Sequence, residues 1–150
     1  TIAPGPATFI LARGAASGTD SAASGDYGEI TNFAAATYDR GGCYTTGGRI
    51  APTTTDQDGL WLAFARVTFT GAITYARLGI TRFNSAGTAQ ARQFVEMDAP
   101  SGAAYTVQVF GAHNLTVASG DYMAVEFLGT GSATSIVANT ANILVAWKAF

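Results

Sequence analysis

At 150 residues the chain has the length of one ordinary domain, which can bury about 70% of the surface its unfolded form would expose, so no disulfide or metal staple is needed for folding. Only 12% of residues are charged against 48% hydrophobic, and the eight Lys and Arg are scattered singly within a net charge of -2, which excludes the basic patch that nucleic-acid binding requires. The lone cysteine, Cys43, excludes an internal disulfide or a cysteine-based zinc site within one chain and reads as a buried free thiol, and no apolar run reaches the roughly 20 residues of a membrane-crossing helix.

The sequence starts at Thr1 rather than methionine, as expected of a processed or trimmed chain, and its Pro4-Gly5-Pro6 opening reads as an extended arm over residues 1–6 before a domain over residues 7–150. Helix signals are nearly absent, because glycine or threonine interrupts every stretch with apolar positions at i, i+3, i+4 and i+7. "ATFILARGA" (Ala7 to Ala15) reads as a first strand, and "GTDSAASGD" (Gly18 to Asp26) as a small-residue loop with almost nothing to bury. "YGEITNF" (Tyr27 to Phe33) and "ATYDRGGCYTTGGRIAP" (Ala36 to Pro52) read as short strands broken by turns at Gly41-Gly42 and Gly47-Gly48.

"GLWLAFARVTFTG" (Gly59 to Gly71) carries the strongest strand signal. Trp61, Ala63, Ala65, Val67 and Phe69 alternate onto one face and Leu60, Leu62 and Phe64 onto the other, so its first half expects cover on both sides. "TYARLGITRFNSAG" (Thr74 to Gly87) alternates Ala76, Leu78 and Ile80 against Tyr75, Arg77 and Thr81 and ends in a turn. "AQARQFVEM" (Ala89 to Met97) and "YTVQVFG" (Tyr105 to Gly111) follow as strands. "YMAVEFL" (Tyr122 to Leu128) follows a Ser119-Gly120-Asp121 turn, with Met123, Val125 and Phe127 inward and Tyr122, Ala124 and Glu126 outward, and "NILVAWKAF" (Asn142 to Phe150) closes the sequence. About ten short strands without a fixed repeat predict an all-β, single-domain sandwich or jelly roll.

The order of these motifs resembles the C1q and tumour-necrosis-factor-like jelly-roll superfamily across nearly the whole chain. Asn32 and the Tyr38-Asp39 pair lead into a glycine hairpin. Gly59, Trp61 and Phe64 open the aromatic strand, Asn84 marks a turn, and Gly120-Asp121 starts a strand carrying Val125 and Phe127. No collagen-like stalk is present, and alanine stands at many positions where larger core residues are expected. The resemblance implies a compact homotrimer with one sheet of each subunit facing the threefold axis. It assigns Leu60, Trp61, Leu62, Phe64, Tyr122, Met123, Val125, Phe127 and Trp147 to the core and trimer contacts, with Leu60 to Phe64 and Tyr122 to Leu128 covered on both faces.

Catalytic motifs are lacking. His113 is the only histidine, which leaves no material for a histidine-based triad or pair, and between Ala112 and Asn114 it reads as a loop or trimer-contact residue. No Gly-x-Ser-x-Gly elbow occurs. Asp56 and Asp58 form a fragment of a calcium-loop pattern, but the third acidic position and the later glutamate are missing, and an Asp-Gly turn is the preferred reading. No enzyme activity and no cofactor are expected.

The expected function is that of a homotrimeric decoration or stabilising protein on the outer surface of a tailed-phage capsid. Its partner would be the major capsid protein or neighbouring virion proteins, without nucleic acid or membrane. The Gly- and Ala-rich, lysine-poor composition fits a bacterial or phage source. Thr1, Ile2, Ala3, Pro4, Gly5 and Pro6 are the expected partner-binding arm, able to add a strand to a neighbour. Two alternatives stand beside this: a receptor- or glycan-binding head of a tail fibre or spike, using Tyr27, Tyr44 and Tyr105 to stack on host surface glycans, and a secreted C1q-like ligand glycosylated at the Asn114-Leu115-Thr116 sequon.

Overall fold

A computed structural model describes residues 8–14, 19–70, 74–98, 105–131, 134–137 and 141–150. Among them the strands are β1 (Phe9–Arg13), β2 (Thr19–Ala22), β3 (Tyr27–Glu29), β4 (Tyr38–Arg40), β5 (Tyr44–Thr45), β6 (Arg49–Ile50), β7 (Gly59–Thr70), β8 (Tyr75–Phe83), β9 (Ala89–Asp98), β10 (Tyr105–Leu115), β11 (Tyr122–Thr130), β12 (Thr134–Val137) and β13 (Ile143–Lys148). A single 3-10 turn, Thr55–Gln57, precedes β7. All pairings are antiparallel. In the seven-stranded sheet β10 lies along one edge of β7, while β13 and then β12 share the other; β1 and β4 extend the sheet beyond β13, and β2 beyond β12. In the six-stranded sheet β9, β8 and β11 are consecutive, with β3 and β6 sharing the far edge of β11 and β5 outside β6.

The period-two alternation puts Ile10, Ala12, Trp61, Ala63, Ala65, Val67, Phe69, Leu144 and Ala146 of one sheet against Leu78, Ile80, Met123, Val125 and Phe127 of the other, all buried in one cluster. Each fully buried large apolar side chain contributes about 1.5–3 kcal/mol. The alanines have a geometric role. Ile10, Ala146, Ala63 and Gly111 are register partners across four strands, a row of mostly small residues facing β8. A Cβ placed on Gly111 would stand 2.6 Å from the Ile80 Cβ, so the sheets approach too closely there for a side chain. Alanine where larger residues are expected therefore reflects a locally thin sandwich.

Several features depart from the sequence-based expectation, among them β12, which was not expected. Residues 18–26 were expected as a loop, yet Thr19–Ala22 form β2, paired with β12. Polar contacts hold it: the Asp20 carboxylate accepts from the Thr31 amide (2.8 Å), the Thr31 hydroxyl (2.6 Å) and the Asn32 amide (2.9 Å). Next, β10 runs to Leu115 rather than stopping at Gly111, which places His113 inside a strand and 6% exposed rather than in a loop. Finally, the strand expected to reach Phe150 ends at Lys148, although the Phe150 carbonyl still accepts from the Leu60 amide at 2.9 Å. Residues 1–7, which hold the expected arm and its boundary, lie outside the described residues.

Candidate functional site

The same alternation that buries one side of the seven-stranded sheet leaves apolar side chains on its outward side. Tyr38, Leu11, Val145, Phe64 and Phe110 are successive register partners across β4, β1, β13, β7 and β10. Phe9, Trp147, Leu62 and Ala112 form the adjacent row, which ends on β4 in the exposed Arg40. Phe110 is 56% and Tyr38 48% exposed, and Phe9, Leu11, Leu62, Phe64, Val145 and Trp147 are half-buried. Ring contacts tie the edges to the centre, Phe9 with Tyr38 at 5.6 Å and Phe110 with Trp147 at 6.1 Å. The next row, Arg13, Ile143, Arg66 and Gln108, is largely polar. A two-row apolar stripe bordered by polar residues has the form of an interaction surface.

The outward side of the six-stranded sheet is built differently. Glu126, 5% exposed, accepts from Arg92 Nε at 2.7 Å and from the Thr81 hydroxyl at 2.6 Å. Arg92 lies 4.1 Å over the Tyr27 ring. Arg77 donates to the Tyr75 and Tyr27 hydroxyls, pairs with Glu96 at 2.6 Å and stacks on Phe94. Arg49 forms a forked pair with Glu29 and lies 4.6 Å over Tyr122, which itself stacks on Phe83 at 5.0 Å. The hydrogen bonds that Arg77 donates to the Tyr75 and Tyr27 hydroxyls raise its guanidinium pKa above the usual range, and the hydrogen bonds that Arg49 donates to Glu29 raise that of Arg49. This layer covers β11 from within the chain.

The nine residues assigned to core and trimer contacts therefore occupy three places. Trp61, Met123, Val125 and Phe127 are sandwich core, at most 1% exposed. Leu60, Leu62, Phe64 and Trp147 point to the outward side of the seven-stranded sheet. Tyr122 lies on the outward side of the other sheet, beneath Arg49. Phe9, Leu11, Phe110 and Val145 were not singled out from sequence, and Tyr38 only as part of the hairpin motif, although runs such as "FIL" and "ILVAW", apolar on both faces, carried the signal.

The remaining candidates have local structural partners. The Asp58 carboxylate accepts from the Val117 amide at 2.6 Å, pinning the loop between β10 and β11, and among the described residues no group of three metal-ligating side chains occurs. Asp56 is exposed in the 3-10 turn. Tyr44, expected as an exposed stacking ring, turns its hydroxyl into the protein toward the Ala34 carbonyl (2.6 Å), and burial pushes its pKa up to about 12. Tyr27 is occupied by Arg77 and Arg92, and the Tyr105 side chain lies outside the described residues. Cys43 is buried, with its pKa raised to about 11 by desolvation first and then by Asp39. Asn114 is exposed on β10, on the same outward side as the apolar stripe.

No protein-family model and no curated protein matches the sequence. Among solved structures, Eiger TNF from S. frugiperda superposes with a TM-score of 0.63 at 14% identity, covering 97% of this chain and 94% of that one. The globular domain of zebrafish complement 1qA superposes at 0.55 and 11% identity, covering 97% and 98%. The chain has the TNF/C1q-like jelly-roll fold. PRD1 vertex protein P5 shares this jelly roll at a TM-score of 0.61 and 17% identity, over 97% of this chain and 100% of that one. The apolar stripe thus belongs to the outward face of the seven-stranded sheet of a TNF/C1q-like jelly roll, and the Arg–Tyr–Glu layer to the outward face of the other.

Proposed function

We propose that the chain is a non-enzymatic structural protein that assembles as a homotrimer and sits on the outer surface of a virion, as a decoration or stabilising protein of a tailed-phage capsid. The observation that carries this reading is the two-row apolar stripe, one row across five strands and the other across four, including Phe110 at 56% and Tyr38 at 48% exposure. A contiguous apolar face of this kind calls for a protein partner. A second copy is the partner that the family resemblance supplies: in a closed threefold ring the contact is heterologous, so the stripe of one subunit meets a different surface of the next.

The virion location draws support from the likeness to a vertex protein, and a structural role from the state of the one histidine, which is buried and hydrogen-bonded to a backbone carbonyl. The N-terminal arm, Thr1 to Pro6, is the proposed contact to the major capsid protein or a neighbouring virion protein. Antibody-gold labelling of intact particles, viewed by electron microscopy, tests the location. Label over the heads, abolished by deleting Thr1 to Pro6 while the oligomer persists, is the expected result. Label confined to tail tips would replace this reading with a receptor- or glycan-binding head, and the absence of labelled particles with a secreted ligand.

A further inference from the structure

The single histidine lies between the two sheets. On β10 His113 is the register partner of Trp61 on β7, both facing inward, and its Nε2 lies 2.8 Å from the Ile80 carbonyl of β8 in the opposite sheet. Because a carbonyl only accepts, Nε2 carries the proton and the neutral ring is the Nε2–H tautomer. The imidazole thus joins the two sheets by a hydrogen bond at 6% exposure, beside the place where Gly111 and Ile80 bring them closest. Its surroundings do not favour a second proton. From β8 the charged group acting on it is Arg82, of like sign, itself 3.8 Å from Asp121 at the start of β11. Its register partner on β7 is the neutral Trp61, and the β9 side chain bonded next to it on β10 is the neutral Gln93, whose amide bridges the Ala112 backbone.

We infer that His113 is an acid-sensitive clamp between the sheets: its protonation, which adds a cation to a buried site beside Arg82, loosens the sandwich in mildly acidic conditions. Burial is the largest cause holding its pKa below the ordinary value near 6.5; the Ile80 hydrogen bond opposes this and Arg82 reinforces it. With the folded pKa depressed, the unfolded chain takes up the proton more readily. The stabilising contribution is therefore complete above about pH 6.5 and is lost as the pH falls toward the folded-state pKa. This inference concerns the single subunit and holds whatever surface it occupies.

The experiment is thermal unfolding of the full chain and of His113→Gln between pH 7.5 and 5. Glutamine can donate the same hydrogen bond to Ile80 without titrating. Titration of Asp and Glu is common to both proteins, so the difference isolates the imidazole. The expected result is an additional fall in Tm of the unaltered protein by roughly 2–4 °C over this range. Parallel Tm profiles would overturn the inference. Should the variant not fold, the imidazole resonance of the only histidine, followed by NMR against pH, gives the answer directly: a midpoint below 6.5 supports the clamp, and a midpoint at or above it refutes it.

Discussion

A Cβ on Gly59 would stand 1.9 Å from the Phe150 carbonyl oxygen, and the residue adopts φ +140, so only glycine lets the C-terminal segment lie across the start of β7. Gly59→Ala is expected to lower stability by about 1–3 kcal/mol, read as a shift of the urea midpoint. The ion pairs on the six-stranded sheet rank by burial. The Arg49 side chain is 50% exposed against 17% for Glu29, and removing it by Arg49→Ala should cost less than about 1 kcal/mol. Glu126 is nearly enclosed, and Glu126→Gln weakens charge-assisted bonds to Arg92 and Thr81, with an expected loss of about 1.5–3 kcal/mol in the same measurement. Near-equal losses would mean that burial does not govern this layer.

At the scale of elements, the two sides of β7 should respond differently to substitution. Ala65, on the inward side, sits in a row with Ala12, Leu144 and Val109 and is fully buried. Ala65→Leu would overpack the core in the row next to the thin part of the sandwich, with an expected destabilisation of about 1–3 kcal/mol in denaturant unfolding; an unchanged midpoint would show that the core there takes up the added volume. The long strands were legible in sequence because alternation over Gly59 to Gly71 or Tyr122 to Leu128 follows directly from period-two burial. The Asn84 turn was legible as well, and its side-chain oxygen accepts from the Ala86 and Thr88 amides. Short strands escaped, because β2 is fixed by the Asp20 carboxylate meeting residues 31 and 32, a contact that leaves no local pattern. The cover over β11 escaped for the same reason: Arg92, Glu126, Arg77 and Tyr27 meet only after four strands align.

For the whole molecule, the two outward faces differ in kind. The six-stranded sheet is closed by arginine–carboxylate pairs and stacked rings within the chain, while the seven-stranded sheet presents Tyr38, Leu11, Val145, Phe64 and Phe110 in one row. In the proposed trimer this asymmetry would set the seven-stranded sheet toward the neighbouring subunits and the six-stranded sheet away from them. It also bears on the soluble-ligand alternative, because a glycan on Asn114 would project from the side that assembly should bury. The most direct test is the mass of the purified chain in solution, by light scattering and native mass spectrometry, beside Phe64→Arg, whose retained β-sheet circular dichroism would certify folding. The account predicts an assembly of three 15.4 kDa chains that falls to a folded single chain in the variant. A monomer for the unaltered protein, or a trimer undisturbed by arginine in the centre of the stripe, would contradict it.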